Sequence, residues 1–546
     1  MPARERPTAR VGVIDLATGQ AKVSELAPDT ADQYLGGRAA GIRLLQDYRR
    51  VSVDALGPDN VVLSTGLLGG MVAPAASMTY ALSVSPEGGL AGASLGGFFG
   101  PELRWAGLDH LIIVGKSAGL SYLFVHDGKI EIKDARSLSG ESTLATQERL
   151  LRELDDDCVQ CLSIGPAGEK MVPFAGVVSG HENPARQRGL GAVFGAKNLK
   201  TIAVRGTRGL PVKFPEKALD YNEEMVRSIR ASQVGRQLES AGAVYFDDER
   251  AATAIDSYSI GRSGCFGCQL RCRYRYLLKE GTAAGALGET VDCLTRAAWD
   301  AVFGPERTAS VLAAGHWLQS YGLDPLETAG LVRWAMSLYQ RGRLTDRETG
   351  GLELEASNDG AVFELMGRIG RREGLGDVLA LGRARAAEKI LPANDQDNAS
   401  LDLHLNAAQG LSLAASVFHP DYLFALPPGG EDGLAAAAYE RALCSTAAAI
   451  LGICDLQTAV LAADLPGFAE FSEMVYLNTG VRVEPDRLRE AAARALTLER
   501  LLSQRTGAPA APATPALVEY FRLAGWDERG VPRPDTLARL GLGVKP

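Results

Sequence analysis

The sequence predicts an α+β fold in which a β-rich N-terminal part, running to about residue 207, precedes a mainly helical remainder. Three observations predict it. Up to residue 207 the apolar runs are short, β-branched and punctuated by Gly, Pro and Asp. Beyond Lys213-Phe214-Pro215 they lengthen and recur at helical spacing. The chain has 546 residues of 46% hydrophobic composition, too long for one ordinary core and apolar enough for two or three.

In the first part, residues 11–16, 61–65, 80–85 and 111–114 read as strands, and residues 122–125 and 130–132 flank Asp127-Gly128, a favourable pair for a tight hairpin turn. Sixty-two glycines exceed the usual share of roughly 7% and concentrate in the first 200 residues, which implies many turns or close approaches of backbone. In the second part, Leu331, Trp334, Ala335 and Leu338 repeat at helical spacing behind a capped start at Asp324-Pro325-Leu326-Glu327. Residues 490–502 form an Ala-rich helical stretch ending near Gly507, and residues 508–515 read as a stiff surface linker to a C-terminal tail.

The 57 basic and 66 acidic residues give a net charge of -9, which disfavours nucleic acid or an anionic membrane surface as the main partner. A small molecule or a protein fits better. No run of 18 apolar residues occurs and no apolar stretch precedes the first strand, so the reading is cytoplasmic. Eight cysteines are too few for a disulfide scaffold in so long a chain, and their clustering favours reduced thiolates used as ligands.

Cys265, Cys268 and Cys272 place three thiols within eight residues, a loop wrapped around something that binds all three. Iron and zinc are the candidates; cluster iron commonly takes three thiolates from one compact run and a fourth from far away, whereas structural zinc more often takes two Cys-x-x-Cys pairs. The spacing favours an iron-sulfur cluster over zinc. Four other cysteines compete with Cys454 for the fourth position. Cys158 and Cys161 border a strand-like run, where a spacing of three puts them on opposite faces, and buried thiols are expected. Cys293 and Cys444 lie in helical context as core residues. Cys454 follows Gly452, where glycine lets backbone approach closely, and is the preferred choice.

Several segments carry a resemblance: Leu35-Gly36-Gly37-Arg38, Leu56-Gly57-Pro58-Asp59-Asn60, the run from Gly97 to Leu103 and the run from Gly191 to Lys200. Together with the cysteine loop they resemble, in order from about residue 10 to 460, the tungsten-containing aldehyde:ferredoxin oxidoreductase family. The resemblance implies a β-rich base domain (1–207) carrying two mainly helical domains (208–390 and 391–546), with a tungsten (or molybdenum) bis-pyranopterin between them and a 4Fe-4S cluster beside it. It assigns the cluster to Cys265, Cys268, Cys272 and Cys454, and allows a magnesium ion bridging the pterin phosphates. It implies oxidation of an aldehyde to a carboxylate, with electrons leaving through the cluster to ferredoxin or an iron-sulfur partner subunit, and a homodimer or such a complex.

Pterin rings and phosphates need backbone donors and small residues, which suits Ser94, Gly96 and Gly97 and also Arg188, Gly189 and Gly191; without the family, ordinary tight turns would be the better account of these glycines. Two family pterin motifs end in Gly-Leu followed by Asp or Cys. Gln319 to Asp324 matches the first, and Ala449 to Cys454, including Gly452, matches the second with alanine in place of its opening acidic residue. Asp324 also reads as a helix N-cap. Met78 falls where relatives carry a phosphate-approaching arginine. The family's active-site histidine aligns near Tyr422, with His419 the nearest imidazole, while Glu289 matches a glutamate that handles a proton beside the metal. Against these stand a surface or ion-paired carboxylate for Glu289 and a core role for His404 and His419; His110, His126, His181 and His316 are left as structural. Two alternatives accompany the leading function: a related tungsten enzyme that reduces an aromatic thioester or an activated double bond, and a pterin-less electron-transfer or structural subunit.

Overall fold

The computed structural model describes residues 9–48, 60–181, 187–242, 254–391, 433–459, 463–507 and 514–543. Among the described residues three sheets lie in chain order. The first runs β2-β1-β6-β3-β4-β5, with β1 Arg10–Asp15, β2 Gln20–Glu25, β3 Val61–Thr65, β4 Thr79–Val84, β5 Leu90–Leu95 and β6 His110–Val114. β2 is exposed and bears Lys22 and Glu25, a charged edge that discourages further pairing. The second sheet runs β10-β9-β11-β7-β8, with β7 Ser121–His126, β8 Lys129–Asp134, β9 Gln160–Ile164, β10 Val177–Ser179 and β11 Leu199–Arg205. Between β7 and β8, Asp127 and Gly128 have φ of 40° and 83°, the pair of left-handed conformations that the expected hairpin turn requires.

Strand alternation builds the layers. Val61, Leu63, Leu111 and Ile113 point into the core shared by the two large sheets, while Val62 and Ile112 point the other way, into a core completed by helices. Those helices are Gly37–Tyr48 from the N-terminal part and Leu434–Leu451, Phe468–Thr479 and Pro485–Arg505 from the C-terminal part. A strand apolar on both faces reads as a continuous run rather than an alternating one, which is why β3 and β6 look like uninterrupted hydrophobic segments.

The third sheet, β12 Ser259–Ser263, β13 Arg273–Leu277 and β14 Leu287–Glu289, packs with the helices Cys293–Phe303, Thr308–Tyr321, Pro325–Gln340 and Asp359–Arg371 around Tyr276, Trp299, Leu318 and Trp334. Asp324 caps the third of these helices, its Oδ1 accepting from the backbone N–H of Leu326 at 2.9 Å and of Glu327 at 3.1 Å. Residues 508–513 lie outside the described residues; beyond them the helices Pro515–Leu523 and Pro534–Arg539 follow, and Tyr520, Phe521 and Trp526 are buried with Ala435 and Ala438. Among the described residues one helix, Leu434–Leu451, has the length and hydropathy of a membrane span, and 61% of it is buried inside the protein.

His110 shows how tightly β6 is enclosed. Its Nδ1 lies 2.8 Å from Ser64 Oγ, which itself donates to the Gly37 carbonyl at 2.6 Å, so the hydroxyl accepts from the imidazole and Nδ1 carries the proton. Burial pushes His110 down from 6.5 to about 4. A depressed histidine means that the unfolded chain binds the extra proton more readily between those values. Stability is therefore intact above pH 6.5 and is lost as pH falls toward 4, by about 3 kcal/mol at full extent. Thermal unfolding of a His110→Asn variant should lack this part of the acid slope; unchanged slopes in variant and parent would show that His110 is not its source.

Candidate functional site

The cysteine loop joins β12 to β13, turning at Gly267 (φ 66°) and Arg271 (φ 46°), and it lies against the N-terminal part. Phe266 donates its backbone N–H to Gly97 O at 3.1 Å and packs edge-on against Trp105. Cys454 arrives from the opposite side. The helix Leu434–Leu451 ends at Gly452 in the left-handed conformation (φ 82°), a conformation glycine takes without penalty. The outgoing chain pairs with the loop after β3: Leu67 donates to Ile450 O, Leu68 to Leu451 O and Met78 to Gly452 O, and Ala76 bridges Ile453. Gly66 makes this approach possible, since a Cβ there would sit 2.0 Å from the Gly452 nitrogen.

Ala75 holds the two halves together. Its N–H donates to Gly267 O at 2.9 Å and its carbonyl accepts from Cys454 N–H at 3.2 Å, with φ at 47°, a conformation costly for a residue with a Cβ. Cys265, Cys268, Cys272 and Cys454 are thereby brought within electrostatic reach of one another. Burial, and then mutual repulsion, pushes the Cys454 thiol far up; burial pushes Cys272 up to about 12 and also raises Cys268. Two donors already face the sulfurs: Arg273 Nη2 donates to Cys265 Sγ at 3.2 Å, and Gln457 Nε2 to Cys268 Sγ at 3.0 Å. Among the described residues no three His, Cys, Asp or Glu side chains converge as tightly as a single ion demands.

The remaining cysteines stand apart from this cluster. Cys161 is buried in β9 with its thiol raised to about 12 by desolvation, whereas Cys158 precedes the strand and is exposed, its N–H held by Asp156. The expectation of two buried thiols therefore holds for Cys161 alone. Cys444 is buried in the helix Leu434–Leu451, and Cys293 opens its helix half-buried.

Glu289 ends β14 and forms an ion pair with Arg273, Nη1 to Oε2 at 2.9 Å, so a single guanidinium touches both Cys265 and Glu289. His181 lies within electrostatic reach of Glu289 and of His316. Both imidazoles are lowered by burial, and the Nδ1 of each is buried with no partner among the described residues. His419 and Tyr422, and His404 with them, lie outside the described residues.

The two glycine-rich segments end at these loops. Ser94 is the next-to-last residue of β5, its Oγ buried and without a hydrogen-bond partner among the described residues, and Gly96 and Gly97 carry the chain into the turn that receives Phe266. Arg188 (φ 52°) donates from Nη2 to Gly88 O at 3.3 Å, and Gly189 and Gly191 run along the backbone of residues 173–176, where Cβ atoms would meet Pro173 O at 2.2 Å and Gly176 O at 2.5 Å. That same backbone pairs on its other side with the first Gly-Leu motif: Gly176 donates to Gly322 O, Ala175 bridges Leu323, and Asp324 donates to Phe174 O. Thus each motif, at Gly322-Leu323 and at Gly452-Ile453, forms the same kind of bridge to one loop of the N-terminal part. Gln319, which opens the first motif, has its Oε1 buried with no partner among the described residues.

Sequence reasoning missed Arg273, Gln457, His181 and His316. Arg273 and Glu289 are sixteen positions apart and meet through the pairing of β13 with β14, so no local spacing announces them. Asp455, one residue past Cys454, also escaped notice; it is buried, accepts from Ser445 Oγ at 2.7 Å and is pushed up to about 7 by desolvation.

Comparison with known proteins adds three findings. Residues 11–206 match the N-terminal domain of aldehyde ferredoxin oxidoreductase, and residues 233–542 match its domains 2 and 3. A tungsten-containing aldehyde ferredoxin oxidoreductase of Pyrococcus abyssi is 31% identical over 69% of this chain and 66% of its own length; one from Pyrococcus horikoshii is 28% identical over 97% and 98%. Among solved structures, the active site complex BamBC of benzoyl coenzyme A reductase with 1,5-dienoyl-CoA superposes with a TM-score of 0.80 at 23% identity, covering 98% of this chain and 97% of that one, a likeness of fold.

Proposed function

Because the chain belongs to the aldehyde ferredoxin oxidoreductase family, we propose that it is a tungsten-pterin oxidoreductase that oxidises an aldehyde to a carboxylate and passes electrons through a 4Fe-4S cluster to ferredoxin or a partner subunit. The observation that carries this reading is the Ala75 clasp, which brings Cys265, Cys268, Cys272 and Cys454 together from two distant parts of the chain, one residue away from the arginine that holds Glu289. The proposal includes the division into 1–207, 208–390 and 391–546, a cytoplasmic location, and either a homodimer or a complex with the electron-accepting subunit.

The donor set fits a cluster. Four thiols this close cannot all ionise unless a strong positive centre compensates them, and zinc would draw four sulfurs to about 2.3 Å from one point. A cluster spreads its ligands over several irons, and hydrogen bonds from Arg273 and Gln457 to ligand sulfurs are of the kind that adjusts cluster potential. The pterin reading is supported by Ser94 Oγ and Gln319 Oε1, buried and without a partner among the described residues, and by the paired turns at Gly96-Gly97, Gly189-Gly191, Gly322-Asp324 and Gly452; the Arg188 guanidinium, with a magnesium ion, would hold its phosphates. When bound, the tungsten pterin supplies the two-electron chemistry. Glu289, ion-paired with Arg273, accepts a proton as the oxygen of water is added to the carbonyl carbon, and His419 and Tyr422 are the further catalytic candidates that the family resemblance gives.

A Glu289→Gln variant should bind tungsten and iron like the parent while kcat for aldehyde oxidation falls at least ~100-fold, the usual effect of removing a proton-transfer group. Unchanged turnover would remove Glu289 from the chemistry. Elemental analysis of anaerobically purified protein tests the larger reading: four irons without tungsten or molybdenum, from a host that makes the cofactor, would leave an electron-transfer subunit. Tungsten together with inert aldehydes and a reducible aromatic thioester would favour the reductase alternative.

A further inference from the structure

Arg273 links two parts of the site that the reaction as described uses separately. It follows Cys272 directly, opens β13, and has its side chain only 21% exposed. From there one guanidinium nitrogen donates to Cys265 Sγ at 3.2 Å and another meets Glu289 Oε2 at 2.9 Å. The planar fork of arginine reaches two acceptors on different sides at once, which a lysine ammonium on a flexible stem does less well. Among the described residues no other side chain hydrogen-bonds to both one of the four cysteines and Glu289.

We propose that Arg273 is a positioning residue that couples the electron on the cluster to the charge on Glu289. The proposal rests on reading the four cysteines as 4Fe-4S ligands. Adding an electron makes the cluster and its thiolates more negative. A guanidinium donating to Cys265 stabilises that reduced form, since hydrogen bonds to ligand sulfurs and nearby charge are the protein's means of adjusting cluster potential. Glu289 works against it by neutralising the same guanidinium. The carboxylate that receives a proton during turnover is therefore one whose charge bears on how readily the cluster takes the electron: once Glu289 is protonated, Arg273 acts on the thiolate without that opposition. Gln457, neutral and bound to Cys268, contributes a hydrogen bond without this dependence.

The test is a dithionite titration of the full-length holoenzyme followed by electron paramagnetic resonance of the cluster, with iron per chain determined for each variant. Arg273→Gln should lower the reduced-to-oxidised ratio at a fixed solution potential about tenfold, because it removes a charge-assisted hydrogen bond and leaves Glu289 uncompensated. Glu289→Gln should raise the ratio severalfold. The double variant should return most of the way to the parent, a restoration that a purely structural role would not produce. Arg273→Lys keeps the charge and should shift the ratio less than Arg273→Gln; it also serves if the glutamine variant fails to fold. Variants that keep four irons yet titrate like the parent would overturn the coupling and leave the cluster intact. A parent protein without iron would instead overturn the reading on which the coupling rests.

Discussion

Replacing Cys454 with serine is expected to reduce the iron of the purified protein from about four per chain to less than one, with loss of the cluster's visible absorption. Three thiols remain in the loop after β12, yet they all come from one side. Cys454 is the ligand that the C-terminal helices contribute, and its N–H is tied through Ala75 to the same loop. Without it the site is open on the face where Gly452 and Gly66 meet, and a serine hydroxyl, which ionises far less readily than a thiol, does not replace a thiolate on iron. A cluster that fastens two distant segments also stabilises the folded state by binding it alone, so the melting temperature should fall with the iron. Cys444→Ser is the matched control: that thiol is buried in the preceding helix and points into its packing. If Cys454→Ser kept its iron while Cys444→Ser lost it, the fourth ligand would have to be reassigned.

How much of this was legible beforehand follows from what local pattern can encode. The hairpin at Asp127-Gly128, the cap at Asp324 and the helix through Leu331, Trp334 and Leu338 are local events, and residue type alone announced them. The cysteine loop was legible as a ligand loop because three thiols in eight residues have few other uses. Cys454 is marked in the sequence by a neighbouring glycine, and the structure gives that glycine its reason: Gly452 and Gly66 pass backbone against backbone. What was illegible depends on register. Arg273 reaches Glu289 only because β13 pairs with β14, and Gln457 reaches Cys268 only because the 454–457 turn lands on the loop. The glycines at 189 and 191 look in sequence like places for a ligand, and in the fold they let the chain pass residues 173–176. Whether a buried histidine such as His110 or one such as His181 faces a site is likewise decided by neighbours far off in sequence.

The second large effect is expected from Arg38, which the sequence marks only as the end of a Leu-Gly-Gly-Arg segment. Its side chain is buried and forms a two-pronged ion pair with Glu499, Nε to Oε1 at 2.6 Å and Nη2 to Oε2 at 2.5 Å. The pair joins the helix Gly37–Tyr48 to the helix Pro485–Arg505, and Gly37 beside it must be a glycine because a Cβ there would sit 2.0 Å from the Ala449 carbonyl. Removing one partner leaves the other charge buried and uncompensated, which costs about 3–5 kcal/mol, whereas replacing both with apolar groups of similar size is often neutral. Arg38→Met should therefore destabilise by about 3–5 kcal/mol in unfolding experiments, and Arg38→Met/Glu499→Leu should recover most of that loss. Arg38 also acts electrostatically on Asp455, the residue after Cys454. Should the double variant be as unstable as the single one, the cost would lie in the other contacts of Arg38, and the ion pair would be a consequence of the helix packing rather than one of its causes.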